Sequence, residues 1–473
     1  MEQCLSESIL IPFWNTLVST DDPAVWQDGA LHLTYGALIN EIQAWKLKLN
    51  SSRKELVLIS ASADASMVAP IVACLDEKHA VILVDAKLPK SSFEAVVELY
   101  HPAFIIECSH KSATLRNTDY SSPKLNDDLC LLLSTSGSTG SPKFVRLSTN
   151  AVLSNAFSVA KALHLSKNDI AVGHLGVNYS YGWSVISSVL AVGGSVSFTS
   201  SSITERGFWD AIRKTNATHF PGVPAHYQMM CRLRLDRLNI PTVVSMTQAG
   251  GRLNVTLRRE VYKWQESHGG KFFVMYGQTE AGPRMSTLQH GDFETHENSV
   301  GPAIESGIIR IKDGSGQELL VGEEGEVFYE GPNVMDGYAS GWEDLALGDQ
   351  LRGILRTGDI GFTNSSGFLY LTGRISRFAK VLGLRINLDE IEASISILGS
   401  YYVIQSGENL VVIRQKNDLD YSAEEKHTLL AKLEDNFSIP RVVWCFNSLD
   451  VIPVNERNKT DYLALEKGLR DVE

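Results

Sequence analysis

The sequence predicts an α/β protein whose sheets are largely parallel and covered by helices. Apolar runs bounded by turn residues alternate with stretches whose apolar residues have helical spacing. Residues 56–60 form such a run, residues 65–75 have helical spacing, and residues 80–85 form a second apolar run. This strand–helix–strand order is typical of parallel sheets, because a crossover must return the chain to the edge where the next strand begins.

Further apolar runs continue the pattern at residues 170–173, 194–198, 243–246 and 272–275. From about residue 300 the pattern changes to short strands separated by glycine turns. We therefore expect a large N-terminal domain over residues 1–373, which ends in a small β-rich subdomain at about 300–373. The remaining segment has the size of a separate domain, and we predict a small mobile α+β domain at 377–473.

Composition and charge narrow the class of protein. The 473 residues include 43 Lys and Arg and 55 Asp and Glu, so the formal net charge is -12, and no long run has one sign. This balance argues against a protein that generally binds nucleic acid or anionic membranes. The six cysteines lack metal-ligand spacing and are expected to be reduced core residues, and no apolar stretch approaches the ~18 residues of a membrane span. The N-terminus lacks the basic region of a signal peptide, so we expect a cytoplasmic protein of unspecified oligomeric state.

A loop rich in small polar residues follows the apolar run at 129–133. Residues 134–143 contain two Gly, six Ser or Thr, one Pro and one Lys. Such a loop can present backbone N–H groups, hydroxyls and one ammonium to a polyphosphate. A flexible surface loop would have the same composition. The segment is not a GxxxxGK[ST] loop, because only two residues separate its glycines, so a P-loop nucleoside triphosphatase fits poorly.

Several motifs in order along the chain identify a family. The segment 135–143 resembles the phosphate loop of the adenylate-forming superfamily, which includes acyl-CoA synthetases, peptide-synthetase adenylation domains and luciferases. YGQTE at 276–280, RTGD at 356–359 and GLRINLDEIE at 383–392 are similar to that family's YGxTE, RTGD and GxRIxxxEIE. The resemblance runs from about residue 34 to 461, nearly the whole chain. It implies ATP-dependent activation of a carboxylic acid to an acyl-AMP, with release of pyrophosphate, followed by transfer of the acyl group to a thiol.

The resemblance also implies an ATP and Mg²⁺ site. Glu280 would lie near Mg²⁺, a hard cation that prefers oxygen ligands, and Thr279 would contact the α-phosphate. Asp359 would accept hydrogen bonds from both ribose hydroxyls, with Arg374 within reach of the ribose. The remaining residues expected to contact the nucleotide are Thr135, Ser136, Gly137, Ser138, Thr139, Gly140, Lys143, Gly250, Gly251, Tyr276 and Gly277.

A lysine near the C-terminus completes the implied catalytic set. Two anions must meet in the first step, and the family supplies a lysine that offsets their charge. The candidate is Lys459 in PVNERNKTD at 453–461, which resembles the family's PxTxxGKxD. Asn455 and Asn458 depart from that pattern, although Asn tolerates the left-handed backbone that Gly would adopt.

The hinge sequence departs from the family as well. Residues 373–376 read GRIS where the family usually has GRxD, so residues 374–376 are the expected hinge, with Ser376 as its pivot. A large rotation there would exchange Lys459 for the thioester-forming face. Lys380 and Gly383 fall where the family brings the pantetheine thiol past a glycine turn.

One segment bears on the acid that is activated. Tyr179 stands where acyl-CoA synthetases often have a histidine, and Gly182 stands where amino-acid-activating relatives have an aspartate. A buried substrate ammonium without that carboxylate would be costly, so we predict a non-amino acid. Packing alone would also explain this segment. The residues predicted to line the acid pocket are Tyr179, Tyr181, Gly182, His219 and Gly222.

We expect CoA as the thiol acceptor, with an acyl carrier protein as the close alternative. CoA and an acyl carrier protein present the same phosphopantetheine arm, so the motifs do not separate them. A locally basic hinge region, formed by Arg374, Arg377, Lys380 and Arg385, would suit the phosphates of CoA or an acidic carrier surface. A non-catalytic nucleotide-binding protein is a third reading, suggested by Ser376, Asn455 and Asn458.

Overall fold

The computed structural model describes residues 10–109, 112–134, 143–381, 384–407, 409–416, 421–437, 439–454 and 460–470. The predicted α/β class is confirmed. The strands are β1 (Pro23–Gln27), β2 (Ala30–Thr34), β3 (Leu56–Ala61), β4 (Ala80–Asp85), β5 (Phe104–Ser109), β6 (Ser112–Asn117), β7 (Leu129–Ser134), β8 (Phe144–Ser148), β9 (Ile170–Val172), β10 (Ser195–Phe198), β11 (His219–Gly222), β12 (Ser245–Gln248), β13 (Lys271–Tyr276), β14 (Ser286–Leu288), β15 (Ile308–Lys312), β16 (Gly325–Glu330), β17 (Gly337–Ala339), β18 (Ile354–Thr363), β19 (Leu369–Arg374), β20 (Phe378–Val381), β21 (Leu384–Asn387), β22 (Tyr401–Ser406), β23 (Asn409–Gln415) and β24 (Trp444–Leu449).

The α-helices lie mostly between strands, as the alternating pattern predicted. They are α1 (Tyr35–Lys48), α2 (Val68–Asp76), α3 (Lys90–Tyr100), α4 (Thr149–Ala162), α5 (Ser180–Leu190), α6 (Arg206–Thr215), α7 (Pro224–Arg232), α8 (Val255–Ser267), α9 (Phe293–His296), α10 (Leu388–Ile395), α11 (Ala423–Asn436) and α12 (Tyr462–Arg470). Among the described residues, no helix is both long and apolar enough to cross a membrane.

The chain divides into two compact units. The first contains the described residues up to 253 together with 259–309 and 329–355, and the second contains 254–258, 310–328 and the described residues from 356 onwards. The domain limit at 373 and the hinge at 374–376 stay predictions.

Two mixed sheets form the framework of the first unit. One has the order β14-β13-β12-β11-β9-β10-β1-β2, and the other has the order β17-β8-β7-β4-β3-β5-β6. The inner strands pair in parallel, whereas β2, β14, β6, β8 and β17 pair antiparallel near the edges. Every residue of β3 is buried, which explains its unbroken apolar sequence, because helices cover both faces of a parallel sheet.

Helices α4 and α5 pack into the largest hydrophobic core of this unit. That core also takes in α2 and residues from both sheets, among them Val81, Leu131 and Val196. All eleven residues of α5 are buried, so the helix has no polar face. Ser184, Ser187 and Ser188 satisfy their hydroxyls within the helix by donating to carbonyls three residues earlier. This buried helix begins at the segment that was expected to bear on the acid substrate.

Most sequence-predicted strands agree with the structure to within one residue at each end. The apolar run at 243–246 is an exception, since β12 begins only at Ser245 and Val244 is 44% exposed. The predicted helix at 65–75 begins as a short 3-10 turn that is capped by Asp64, and continues as α2. The described cysteines are free, as expected, but Cys445 is exposed rather than part of the core.

The second unit has smaller sheets. A four-stranded sheet in the order β15-β16-β18-β19 lies largely within it, and a three-stranded sheet has the order β22-β23-β24. Helices α10 and α11 pack on the three-stranded sheet through Ile391, Leu429 and Leu433. The three-stranded sheet and its two helices therefore form an α+β arrangement with its own hydrophobic core.

Candidate active site

The predicted pocket and nucleotide residues of the first unit cluster at one edge of a sheet. Strands β11, β12 and β13 are parallel neighbours, so their carboxyl ends lie side by side. Gly222 ends β11, Gly250 follows β12, and Thr279 and Glu280 follow β13. Ligands of open α/β sheets bind at the carboxyl ends of the strands. The sheet thus assembles residues that are far apart in sequence.

Hydrogen bonds fix both the backbone and the side chain of Glu280. It lies in a short 3-10 turn, Thr279–Ala281, at the end of β13. The Tyr338 hydroxyl donates a hydrogen bond of 2.9 Å to Glu280 Oε1, and the Met335 amide donates one of 2.9 Å to the Glu280 carbonyl. Burial and the neighbouring carboxylate of Glu280 raise the pKa of Tyr338, so its hydroxyl stays protonated and remains a donor.

Tyr338 also contacts the lysine that ends the phosphate loop. Strand β17 pairs antiparallel with β8, which places Tyr338 opposite Val145. The Lys143 ammonium lies 3.5 Å from the centre of the Tyr338 ring. One tyrosine therefore touches both a predicted phosphate ligand and the predicted metal ligand.

The geometry of Glu280 fits a magnesium ion that is bound mainly by substrate oxygens. One carboxylate oxygen is oriented by Tyr338, while Oε2 has no hydrogen-bond partner among the described residues. No cluster of three His, Cys, Asp or Glu side chains occurs in the described part of the chain. Mg²⁺ is usually held by one or two carboxylates together with phosphates and waters. Glu280 would thus be the protein ligand, and nucleotide phosphates would complete the coordination.

The start of α5 contacts the turns that follow β12 and β13. The Ser180 and Thr279 hydroxyls lie 3.0 Å apart in a buried hydrogen bond. The Tyr179 hydroxyl lies close to Gly250, where an added Cβ would come within 2.4 Å of it. Gly250 also has a φ of +83°, which favours glycine. Tyr179, Thr279 and Gly250, which were assigned separately from the sequence, therefore adjoin one another.

Gly182 has a steric role. A Cβ at this position would lie 2.2 Å from the Gly176 carbonyl oxygen, so no side chain fits without a backbone shift. The absence of an aspartate at this position thus has a packing reason as well as the functional one inferred from the sequence.

A buried hydrogen-bond network includes two of the residues predicted to line the acid pocket, Tyr181 and His219. The hydroxyls of Tyr181 and Tyr227 both donate to the Thr247 carbonyl, at 3.0 and 2.7 Å. His219 Nδ1 lies 2.9 Å from Ser245 Oγ, and burial lowers the pKa of His219 to about 4. His219 is therefore a neutral, packed residue near pH 7. Gly222 packs against the Tyr227 ring, which an added Cβ would approach to 2.5 Å.

Asp359 and Arg374 lie together in the second unit. They are opposite each other on β18 and β19, and the Arg374 Nε donates a hydrogen bond of 2.8 Å to Asp359 Oδ1. Asp359 is 3% exposed, whereas the Arg374 side chain is 57% exposed. The arginine thus orients the carboxylate that was predicted to bind the ribose.

The basic patch expected near the hinge does not include Arg377. Its guanidinium is buried and donates to Asp389, Glu392 and the Val403 carbonyl. The Tyr462 ring stacks on it, and the Tyr462 hydroxyl donates to Glu392. The charge of Arg377 is thus neutralised within the protein, and the prediction of an available cation there is wrong.

Some predicted residues are placed only in part. The backbone of Ser376 lies in a 3-10 turn, Ile375–Arg377, and that of Lys380 lies in β20. Other predicted residues lie outside the described residues, namely Thr135, Ser136, Gly137, Ser138, Thr139, Gly140, Gly383 and Lys459. Their assigned roles stay predictions.

Sequence reasoning missed three residues of this cluster. Tyr338 and Ser180 contact Glu280 and Thr279 through the tertiary fold, and nothing in their local sequence indicates it. Arg284 is buried against Tyr181, and its one local signal is a charged residue between Pro283 and Met285.

The chain belongs to the family described as AMP-binding enzyme. The family matches residues 15–339, which is more than half of the chain. This agrees with the adenylate-forming resemblance that was inferred from the motifs.

Two curated relatives illustrate the range of the family. A probable CoA ligase of Humulus lupulus is 29% identical over 272 residues, which cover 56% of this chain and 51% of the relative. A D-alanine–D-alanyl carrier protein ligase of Streptococcus pyogenes is 25% identical over 497 residues, which cover 92% of this chain and 93% of the relative. The match to the CoA ligase thus spans about half the length of that relative.

Solved structures share the fold over nearly the whole chain. An o-succinylbenzoate CoA synthetase of Bacillus subtilis, in complex with its acyl-adenylate intermediate, has a TM-score of 0.78 at 21% identity and covers 98% of both chains. The same synthetase was solved with ATP and a magnesium ion, with a TM-score of 0.76 at 20% identity over 97% of this chain and 99% of the other.

Proposed function

We propose that this protein activates a non-amino carboxylic acid with ATP and transfers the acyl group to a thiol, with CoA as the acceptor. The arrangement of Lys143, Tyr338 and Glu280 is the observation that carries the proposal. Tyr338 contacts both the Lys143 ammonium, which would bind phosphate, and the Glu280 carboxylate, which would bind Mg²⁺. Membership of the AMP-binding enzyme family supports the same reaction.

The first step forms a mixed anhydride. A carboxylate oxygen of the acid attacks the α-phosphorus of ATP, and the bond from that phosphorus to the bridging oxygen breaks, so pyrophosphate leaves with the electron pair. Bound Mg²⁺ would offset the charge of the phosphates. In this proposal Glu280 would hold the metal, Thr279 would contact the α-phosphate, and Lys459 would supply further positive charge. Asp359, oriented by Arg374, binds the ribose hydroxyls.

The second step releases AMP. The thiol sulfur attacks the acyl carbonyl carbon, the bond to the AMP oxygen breaks, AMP leaves with the electron pair, and the thiol proton passes to solvent. We assign the pivot between the steps to Ser376 and the thiol path to Lys380 and Gly383, on the strength of the motif resemblance. A cytoplasmic location, which the free described cysteines support, would supply ATP and CoA.

An acyl carrier protein is the alternative acceptor. It is favoured by the carrier protein ligase that aligns with 92% of this chain. The enzyme would be incubated with ATP, a panel of acids and either CoA or a holo-carrier protein, and thioesters would be detected by mass spectrometry. We expect a CoA thioester from at least one acid. A thioester on the carrier with none on CoA would contradict CoA as the acceptor.

A further inference from the structure

A buried arginine lies beside the aromatic residues at the start of α5. Arg284, two residues before β14, is 3% exposed. Its guanidinium carbon lies 3.9 Å from the centre of the Tyr181 ring. Its Nε is enclosed by protein and has no hydrogen-bond partner among the described residues. A buried guanidinium whose Nε lacks an acceptor is costly even beside an aromatic ring, so its retention calls for an explanation.

Arg146 and Arg377 illustrate how buried arginines are satisfied elsewhere in the protein. Arg146 donates to the carbonyls of Tyr338 and Asp336 and to the Gln350 side chain. Arg377 forms ion pairs with two carboxylates. Burial lowers the pKa of Arg284, and the groups that oppose this shift among the described residues are Tyr181 and Tyr179 rather than a carboxylate. The guanidinium nevertheless stays charged, because arginine is not deprotonated in proteins.

The surroundings of Arg284 are the residues that the sequence assigned to the acid pocket. The positive charge of Arg284 contributes a lowering of the pKa of both Tyr181 and His219. Tyr179 in turn contributes a raising of the pKa of Arg284. The backbone of Arg284 continues the loop that carries Thr279 and Glu280. The Asn155 and Asn333 amides donate to the Arg284 carbonyl at 3.1 and 2.9 Å, which fixes the loop at this point.

We propose that Arg284 binds a second carboxylate of the acid substrate, at the end remote from the reacting carboxylate. The inference rests on the proposed adenylation and names its substrate class as dicarboxylic acids. Pairing a guanidinium with the reacting carboxylate would stabilise the ground state and slow its attack, whereas a remote carboxylate carries no such penalty. A substrate ammonium would be repelled by the same charge, which agrees with a non-amino acid.

The wild-type enzyme gives the first test. ATP–pyrophosphate exchange would be measured with acids matched in carbon skeleton, namely hexanoate against adipate and 4-methylbenzoate against terephthalate. We expect the dicarboxylate of at least one pair to be favoured about tenfold or more in kcat/KM, the size of a charge-assisted hydrogen bond. Equal or better exchange with the monocarboxylate of every pair would overturn the proposal, and this comparison needs no variant.

Two substitutions give the second test. Arg284→Met removes the charge with little change in volume and is expected to abolish the preference, whereas Arg284→Lys should retain part of it. Arg259→Met is the matched control, because Arg259 pairs with Glu297 on the surface and should leave the preference unchanged. An unaltered preference in Arg284→Met would contradict the assignment.

Ligand-induced stabilisation separates this proposal from adenylation itself. Without ATP, the favoured dicarboxylate should raise the Tm of the wild type and of Arg259→Met but not of Arg284→Met. If no acid supports exchange, the adenylation proposal fails, and the Tm comparison still decides whether Arg284 binds a carboxylate. No Tm shift with either dicarboxylate in the wild type would then overturn the role of Arg284.

Discussion

At the scale of single residues, Tyr338 links two groups that the sequence identified separately. Its hydroxyl donates a hydrogen bond that orients the Glu280 carboxylate, and its ring makes a cation–π contact with the Lys143 ammonium. Arg374 acts on Asp359 in a similar way. In both places a second side chain fixes the orientation of a carboxylate that is proposed to bind a ligand, as is common around metal and substrate sites.

Tyr338→Phe tests this linkage. The substitution removes the hydrogen bond to Glu280 but keeps an aromatic ring for Lys143. We expect the Mg²⁺ concentration for half-maximal pyrophosphate exchange to rise roughly tenfold, since one hydrogen bond to a charged group contributes about 1.5 kcal/mol. Tyr262→Phe is the control, because the Tyr262 hydroxyl makes the same kind of hydrogen bond to a carboxylate, that of Glu266 within α8. An unchanged Mg²⁺ dependence in Tyr338→Phe would show that the tyrosine is only structural.

At the scale of secondary structure elements, α5 is the element that brings the predicted pocket together. The hydroxyl of Ser180, its first residue, is hydrogen-bonded to that of Thr279, and the ring of Tyr181 stacks on the Arg284 guanidinium. Gly182, the third residue, packs against the Gly176 carbonyl. The apolar runs in the sequence were sufficient to predict β3, β4 and β13, because strands covered on both faces carry unbroken apolar sequence.

Substitution of Gly182 by Ala tests the close packing of α5. The added Cβ would overlap a backbone oxygen, and overpacking of this kind costs about 3 kcal/mol. We expect the free energy of unfolding to fall by about that amount in urea denaturation. Gly291→Ala should change little, because an added Cβ there meets no atom within 4 Å. Equal stability of Gly182→Ala and the wild type would contradict the packing reason given for this glycine.

Contacts between distant elements account for what the sequence did not predict. Glu280 and Asp359 lie in short motifs that resemble known nucleotide-binding motifs, so the local sequence was enough to identify them as candidate site residues. Tyr338 reaches Glu280 from 58 residues away, through the pairing of β17 with β8. Arg284 became a candidate only when its burial was known, together with the absence of a hydrogen-bond partner for its Nε among the described residues. Neither property has a local pattern, because both arise from tertiary packing.

At the scale of the whole molecule, buried neutral histidines make stability depend on pH. Burial lowers the pKa of His219 to about 4 and that of His226 to about 4 as well. The unfolded chain binds protons at these side chains below its ordinary histidine pKa of about 6.5, while the folded chain does not. Their contribution to stability is therefore complete above that pH and is lost as the pH falls towards 4.

His219→Gln tests this pH dependence. Between pH 7 and 5 the wild type should lose about 2 kcal/mol more of its free energy of unfolding than the variant does, from this histidine alone. His427→Gln, at an exposed position of α11, should follow the wild type. Parallel curves for His219→Gln and the wild type would contradict a neutral buried His219.

Acid-dependent exchange of labelled pyrophosphate into ATP tests the central claim most directly, because it reports the first step without a thiol. We predict exchange by the wild type with at least one carboxylic acid, none without an acid, and loss of exchange in Lys459→Ala. A folded wild-type enzyme that shows no exchange with any acid of a broad panel, or full exchange by Lys459→Ala, would contradict the account of this site.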